Sequence, residues 1–178
     1  MIYFEMIDTP VLVCAPRLVG WSQAFDVRNI RIDRFPKIPK MQLFTIEPAE
    51  DTVFTDVILF PFLLVSPVVK DVIKMYRERC FFRQVILLDQ INNESRLYYL
   101  PVLDETGDIR ICRKEYLKES EVDEAANQGK ALRLNRNLFW VRDLHRRHII
   151  LSMEMAESLL QRGVTGLGLC EVELYGKV

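Results

Sequence analysis

Histidine occurs only twice in this chain, glycine only seven times in 178 residues, and no two of the four cysteines form a CxxC pair. Each scarcity excludes something. A zinc site needs three or four ligands with supporting outer contacts. His145 and His148 stand three apart in HRRH, and Asp143 is the one carboxylate close by in sequence. The segment reads as a strand or its approach, where positions i and i+3 point to opposite faces. No metal is assigned, and both histidines are expected partly exposed in a polar turn. The glycines form no phosphate loop. Gly163, Gly166 and Gly168, in GVTGLG, follow a helix and precede a strand, the reverse of the order a dinucleotide loop needs. They read as a helix stop and a turn.

Cys14, Cys80, Cys112 and Cys170 are far apart and are expected as reduced, mostly buried thiols in a reducing cytosol. Cys170 sits in an alternating apolar strand, a packing position and not an activated thiolate. A net charge of −1 supplies no global field for nucleic acid or a membrane. Long apolar runs are missing as well: residues 57–69 are interrupted by Pro61, Ser66 and Pro67 and are too short to span a bilayer. The start, MIYFEMIDTP, carries acids where a signal peptide needs bases. The expectation is a cytoplasmic chain forming one domain over 1–178, with no cofactor and no membrane partner.

Two helices are clearly written. In IILSMEMAESLLQRG, Ser152 stands at the N-cap, and Met155, Ala156, Leu159 and Leu160 share a helical face. Glu154 and Arg162 suit the two ends of the helix dipole, and Gly163 suits the left-handed C′ position, with Val164 packing back on Leu159. In LLVSPVVKDVIK, Ser66 is the N-cap and Pro67 the N1 residue, with Val68, Val69, Val72, Ile73 and Tyr76 on one face. Both stretches place apolar residues three and seven positions after the serine: Val69 and Ile73, Met155 and Leu159. This is an imperfect repeat, consistent either with a duplicated strand–helix–strand unit or with the ordinary recurrence of a common motif.

Strand character appears at 2–7, 11–13, 41–46, 62–65, 81–88, 96–103, 109–112, 131–140, 141–144, 149–151 and 169–174, with a turn at 135–137. DETGD at 104–108 predicts a hairpin between the strands on either side. Residues 25–32 alternate loosely, and 114–130 is an acidic stretch suited to an exposed helix or loop. Strands outnumber helices, so the fold class is α+β: a mostly antiparallel or mixed sheet carrying two serine-capped helices.

One stretch combines cations with aromatics: Arg133, Arg136, Arg142, Arg146 and Arg147 enclose Phe139 and Trp140. Such a run suits an acidic protein surface, single-stranded RNA, or simply a solvated strand face around a buried tryptophan. The near-zero net charge argues against nucleic acid. Trp140, Arg142, Arg146 and Arg147 are the candidate anchors for a protein partner. Glu119, Glu121, Asp123 and Glu124 form a second candidate surface, suited to a basic partner.

The order FTDVI, FLLVSPVVKDVI, YYLPVL, IILSMEMAESLLQRGVTGL and a terminal CEVEL resembles a family of bacterial polymorphic-toxin immunity proteins. That family is typified by a myxobacterial member and was formerly a domain of unknown function. The resemblance covers residues 54–174, and 114–130 departs from the family's pattern. It implies a non-catalytic cytoplasmic protein that binds and blocks a toxin encoded nearby, and it carries over no contact residue. The alternatives are a small enzyme gathering His145 or His148 with a carboxylate or cysteine, and an RNA-binding module using 133–147.

Overall fold

Both serine caps form. Ser66 Oγ accepts from the Val69 amide at 3.4 Å and Ser152 Oγ from the Met155 amide at 3.3 Å. They open α2 (Pro67–Met75) and α3 (Met153–Leu160). After α3 the chain closes in a Schellman arrangement, with Gly163 N–H donating to Leu160 O and Val164 N–H to Leu159 O. Gly163 has a φ of 66°, as a C′ glycine should. Each buried face is one residue narrower than predicted. Val68 and Leu160 are 47% and 53% exposed, while Val69, Val72, Ile73, Met155, Ala156 and Leu159 are buried.

The computed structural model describes residues 1–9, 14–107, 109–113, 130–142 and 147–176. Its strands are β1 (Tyr3–Ile7), β2 (Met41–Thr45), β3 (Val57–Ile58), β4 (Leu64–Val65), β5 (Cys80–Asp89), β6 (Glu94–Leu103), β7 (Glu105–Thr106), β8 (Ile109–Arg113), β9 (Lys130–Ala131), β10 (Leu138–Arg142), β11 (Arg147–Ser152) and β12 (Gly168–Gly176). A short helix, α1 (Trp21–Ala24), lies between β1 and β2. The first sheet runs β7-β10-β11-β1-β12-β8, with β9 also on β12, and the second runs β2-β5-β6-β4-β3. Both are mixed: β7 is parallel to β10 and β2 to β5, and every other pairing is antiparallel.

The two helices occupy equivalent places. β4 and β5 flank α2 in sequence and both pair antiparallel with β6, so they are parallel to each other across it. β11 and β12 flank α3 and bracket β1 in the same way. A hairpin partner precedes each unit: β3 beside β4, and β10 beside β11. The repeat legible around the two serines is therefore a repeat of topology. Its middle strand comes from the following segment in one unit and from the start of the described chain in the other. The units are joined through α2 and α3, where Tyr76 Oη donates to Glu154 O at 2.7 Å.

Three expectations are corrected. β6 and β8 do not form a hairpin: they lie in different sheets, and Glu105–Thr106 between them pairs with β10 instead. Residues 27–29 and 32–37 form 3₁₀ turns, the first capped by Asp26, which accepts from Arg28 N–H at 3.0 Å. Of the four cysteines only Cys170 is fully buried; Cys14, Cys80 and Cys112 are half-buried, and all four are free thiols. Burial pushes the Cys80 thiol up to about 12. The expected strand at 11–13 lies outside the described residues.

The first sheet is apolar on both faces. Leu138, Trp140 and Leu151 join the main core with Leu64, Leu87 and Leu159. Phe139, Val141 and Ile150 turn the other way, into a second cluster with Tyr3, Val172 and Leu174. The Thr165-Gly166 turn fastens the second sheet to the end of the α3 unit. Thr165 N–H and Oγ both donate to Asp56 Oδ2 at 2.9 Å, and Val57 N–H donates to Thr165 O at 3.1 Å.

The caps give a measurable expectation. Ser66→Ala should cost about 1 kcal/mol in urea unfolding. Ser152→Ala should cost roughly 2 kcal/mol, because its fully buried hydroxyl also donates to Asn137 Oδ1 at 2.8 Å. The second bond of Ser66, to Asp56, is half-exposed and is replaced by water more readily. Equal losses would show that the Asn137 bond adds nothing.

Candidate partner-binding groove

The arginine–aromatic run is divided by strand geometry. Residues 138–142 alternate across the sheet, so Phe139 is 0% exposed in one core and Trp140 5% exposed in the other. Trp140 thus does not protrude as an anchor, and neither ring lies open for a base to stack on. Arg136 turns inward, donating to Thr106 Oγ1 at 2.7 Å and to Asp104. Arg133 and Arg142 are exposed. Arg146, His145 and the acidic residues Glu119, Glu121, Asp123 and Glu124 lie outside the described residues.

The β10–β11 register sets Arg142 directly opposite Arg147 and Trp140 opposite Ile149. Like charges across a strand pair repel. The relief comes from β7, whose parallel register places Glu105 beside Trp140. The Glu105 carboxylate lies 3.9 Å from Arg142 Nη1 and 3.5 Å from Arg147 Nε. Arg147 is further fixed by its Nη1 donating to Ile30 O at 2.8 Å, and its guanidinium lies 4.9 Å from the centre of the Trp140 ring. Burial lowers the Arg147 guanidinium from the ordinary arginine range, against the opposing pull of Glu105.

Trp140 is shared by two clefts. One, about 480 Å³, has walls of Ile30, Leu59, Phe62 and Ile149, with Arg28 and Arg147 also lining it. The other, about 510 Å³, is polar and lined by Arg31, Asp33, Arg79, Asp104 and Glu105. The 3₁₀ turns supply the remaining charges: Arg28 pairs with Asp26 at 2.9 Å and Arg31 with Asp33 at 2.9 Å. Among the described residues the two clefts and their ion pairs bring together the arginines at 28, 31, 79, 142 and 147 and the acids at 26, 33, 104 and 105. Glu105 had the appearance of a turn residue, and the 3₁₀ segment that of an irregular strand. Neither carries a local signal for this site.

A second polar cluster occupies the opposite face of the first sheet. His148 is buried in β11, which corrects its expected exposure, and its Nδ1 lies 2.6 Å from Glu5 Oε1. Arg113 Nε donates to Glu5 Oε2 at 2.7 Å. Burial pushes the Glu5 carboxyl up, but the bonds from Arg113 and His148 outweigh it and hold the group below its ordinary range. An ionised carboxylate only accepts, so Nδ1 carries the hydrogen. Cys170 is the cross-strand partner of Glu5 in β12.

Among the described residues, no three or more histidine, cysteine or acidic side chains gather as metal ligands, and no helix is long and apolar enough to cross a membrane. Comparisons with protein-family models, curated proteins and solved structures give no match.

Proposed function

We propose that this chain is a cytoplasmic binding protein of the immunity type, which neutralises a partner toxin by covering its working surface and performs no reaction itself. The resemblance of residues 54–174 motivates the choice of partner. The observation that supports a binding role is the arginine pair at Trp140. The Ile30 carbonyl and the Trp140 face fix Arg147 at the apolar cleft before any partner arrives, with Glu105 3.5 Å away and 3.9 Å from the exposed Arg142, which reduces the ordering cost of association. A stable complex would bury about 1,600 Å² in total.

Co-expression tests the proposal. The neighbouring gene is expressed with and without this chain, and survival and co-purification are scored. Rescue with co-purification supports it. A harmless neighbour, or rescue without association, rejects it. Within a rescuing pair, Arg142→Glu should slow association by about ten-fold or more, because it reverses an exposed charge at the groove. Stopped-flow binding at two salt concentrations reads that effect.

A small enzyme is the second reading, favoured by the Glu5–His148 pair with Cys170 opposite. It predicts rapid alkylation of Cys170 by iodoacetamide in the native protein at neutral pH. Protection of Cys170 until unfolding would remove this reading.

A further inference from the structure

We infer that the apolar cleft beside Trp140 receives one large apolar side chain of a partner protein segment that carries carboxylates on either side of it. The inference rests on the binding reading above and specifies its partner's chemistry.

At about 480 Å³ the cleft is larger than one aromatic side chain fills, so it has room for the ring together with part of the flanking segment. Three parts of the chain build it around Trp140 of β10. Val27 and Ile30 come from the first 3₁₀ turn, Leu59 and Phe62 from the β3–β4 connection, and Ile149 from β11. The walls are fixed from behind: Phe62 packs edge-on against Phe25 and Trp21, with ring centres 5.1 and 6.3 Å away. Such a cavity, apolar and held open, favours a ring or a branched aliphatic group.

Among the described residues the charged groups lining the cleft are Arg28 and Arg147, with Asp26 paired to the first and Glu105 3.5 Å from the second. Arg147 is held by the Ile30 carbonyl, the Trp140 face and Glu105, so its guanidinium is positioned in advance. A partly buried guanidinium attracts a carboxylate more strongly than an exposed one does. Beyond the cleft, the exposed Arg142 stands opposite Arg147 across the strand pair. A basic segment would meet repulsion here. A nucleic acid would meet the charge but no open ring, since Trp140 is already covered by Arg147.

The full chain labelled with 5-fluorotryptophan provides the test, because it contains only two tryptophans, Trp21 and Trp140. A Trp21→Phe variant assigns the two ¹⁹F signals. The blocked tripeptide Asp-Phe-Asp should shift the Trp140 signal saturably, with a Kd on the order of a millimolar, as befits so small a ligand. Asp-Ala-Asp and Lys-Phe-Lys should each bind at least about ten-fold more weakly. Arg147→Gln should weaken Asp-Phe-Asp to a similar degree. Arg28→Gln, at an exposed side chain paired with Asp26, should weaken it about three-fold. No saturable shift, equal binding of either control peptide, or tighter binding of oligouridylate would overturn the inference. The failure of the peptide leaves toxin neutralisation standing through another surface. The failure of co-expression rescue leaves the cleft's preference for an acidic segment measurable on its own.

Discussion

Replacing Glu5 by alanine should lower the unfolding free energy by about 3–5 kcal/mol, the largest single effect expected in the chain. Glu5 is 4% exposed, and its two oxygens meet Arg113 at 2.7 Å and His148 at 2.6 Å. Removing it takes a carboxylate from beside Arg113 and a hydrogen-bond acceptor from His148 on the second core face. For a chain of this size, such a loss should lower the melting temperature by roughly 10 °C. The cost belongs to the broken pairing and not to the pair's net worth, because desolvation offsets much of the attraction between buried ions. A joint replacement with apolar residues (Glu5→Met, Arg113→Met, His148→Leu) should therefore recover most of the stability. If the triple variant remains as unstable as Glu5→Ala, the cluster contributes more than charge balance.

The same group sets an acid response. The folded Glu5 carboxyl lies below its ordinary 4.5. Its stabilisation is thus fully present above that value and is lost as pH falls through the folded value. Asp56 acts with the same sign. Burial pushes it up, but hydrogen bonds from the Thr165 amide, Ser66 and the Thr165 hydroxyl hold it below the ordinary aspartate range. Urea midpoints should fall on acidification below about pH 4.5, and less steeply in Glu5→Gln. An equal slope in that variant would place the acid sensitivity elsewhere.

Gly166→Ala should be the second most damaging substitution, costing about 2–4 kcal/mol. Gly166 has a φ of 77°, a region that costs an L side chain roughly 1–2 kcal/mol. A Cβ there would also stand 2.4 Å from the Val57 carbonyl oxygen and 2.8 Å from Thr55 Cβ. The neighbour is backbone and cannot turn aside. Relief requires the turn to lift, which breaks the Val57–Thr165 bond and the contacts of Thr165 with Asp56. Gly163→Ala is the control: it has a similar φ of 66° but nothing within 4 Å of its Cβ position, so it should show only the conformational cost. Chemical denaturation of both variants separates strain from collision. Equal losses would mean that the docking of the turn is soft.

Two parts of this chain were legible because their chemistry is local. The Ser66-Pro67 and Ser152 caps, the Gly163 stop and the residues three and seven after each serine all act within about two helical turns of one another. The arginine–aromatic run was legible as a composition and misleading as a surface. Alternation fixes that Phe139 and Trp140 point to opposite sides. It does not reveal that both sides are covered.

What the sequence by itself determined, then, is the α+β class, the two capped helices and their repeated pattern. The tertiary structure alone decided that β1 and β6 each enter between the strands of a crossover, so that the repeat is one of topology. It alone placed Glu105 between Arg142 and Arg147, and Glu5 beside a histidine 143 residues away. The physical reason is distance along the chain. A cap or a helical stripe is set by neighbours a few residues apart, whereas a strand partner or a buried counter-charge is selected only once the whole sheet has assembled.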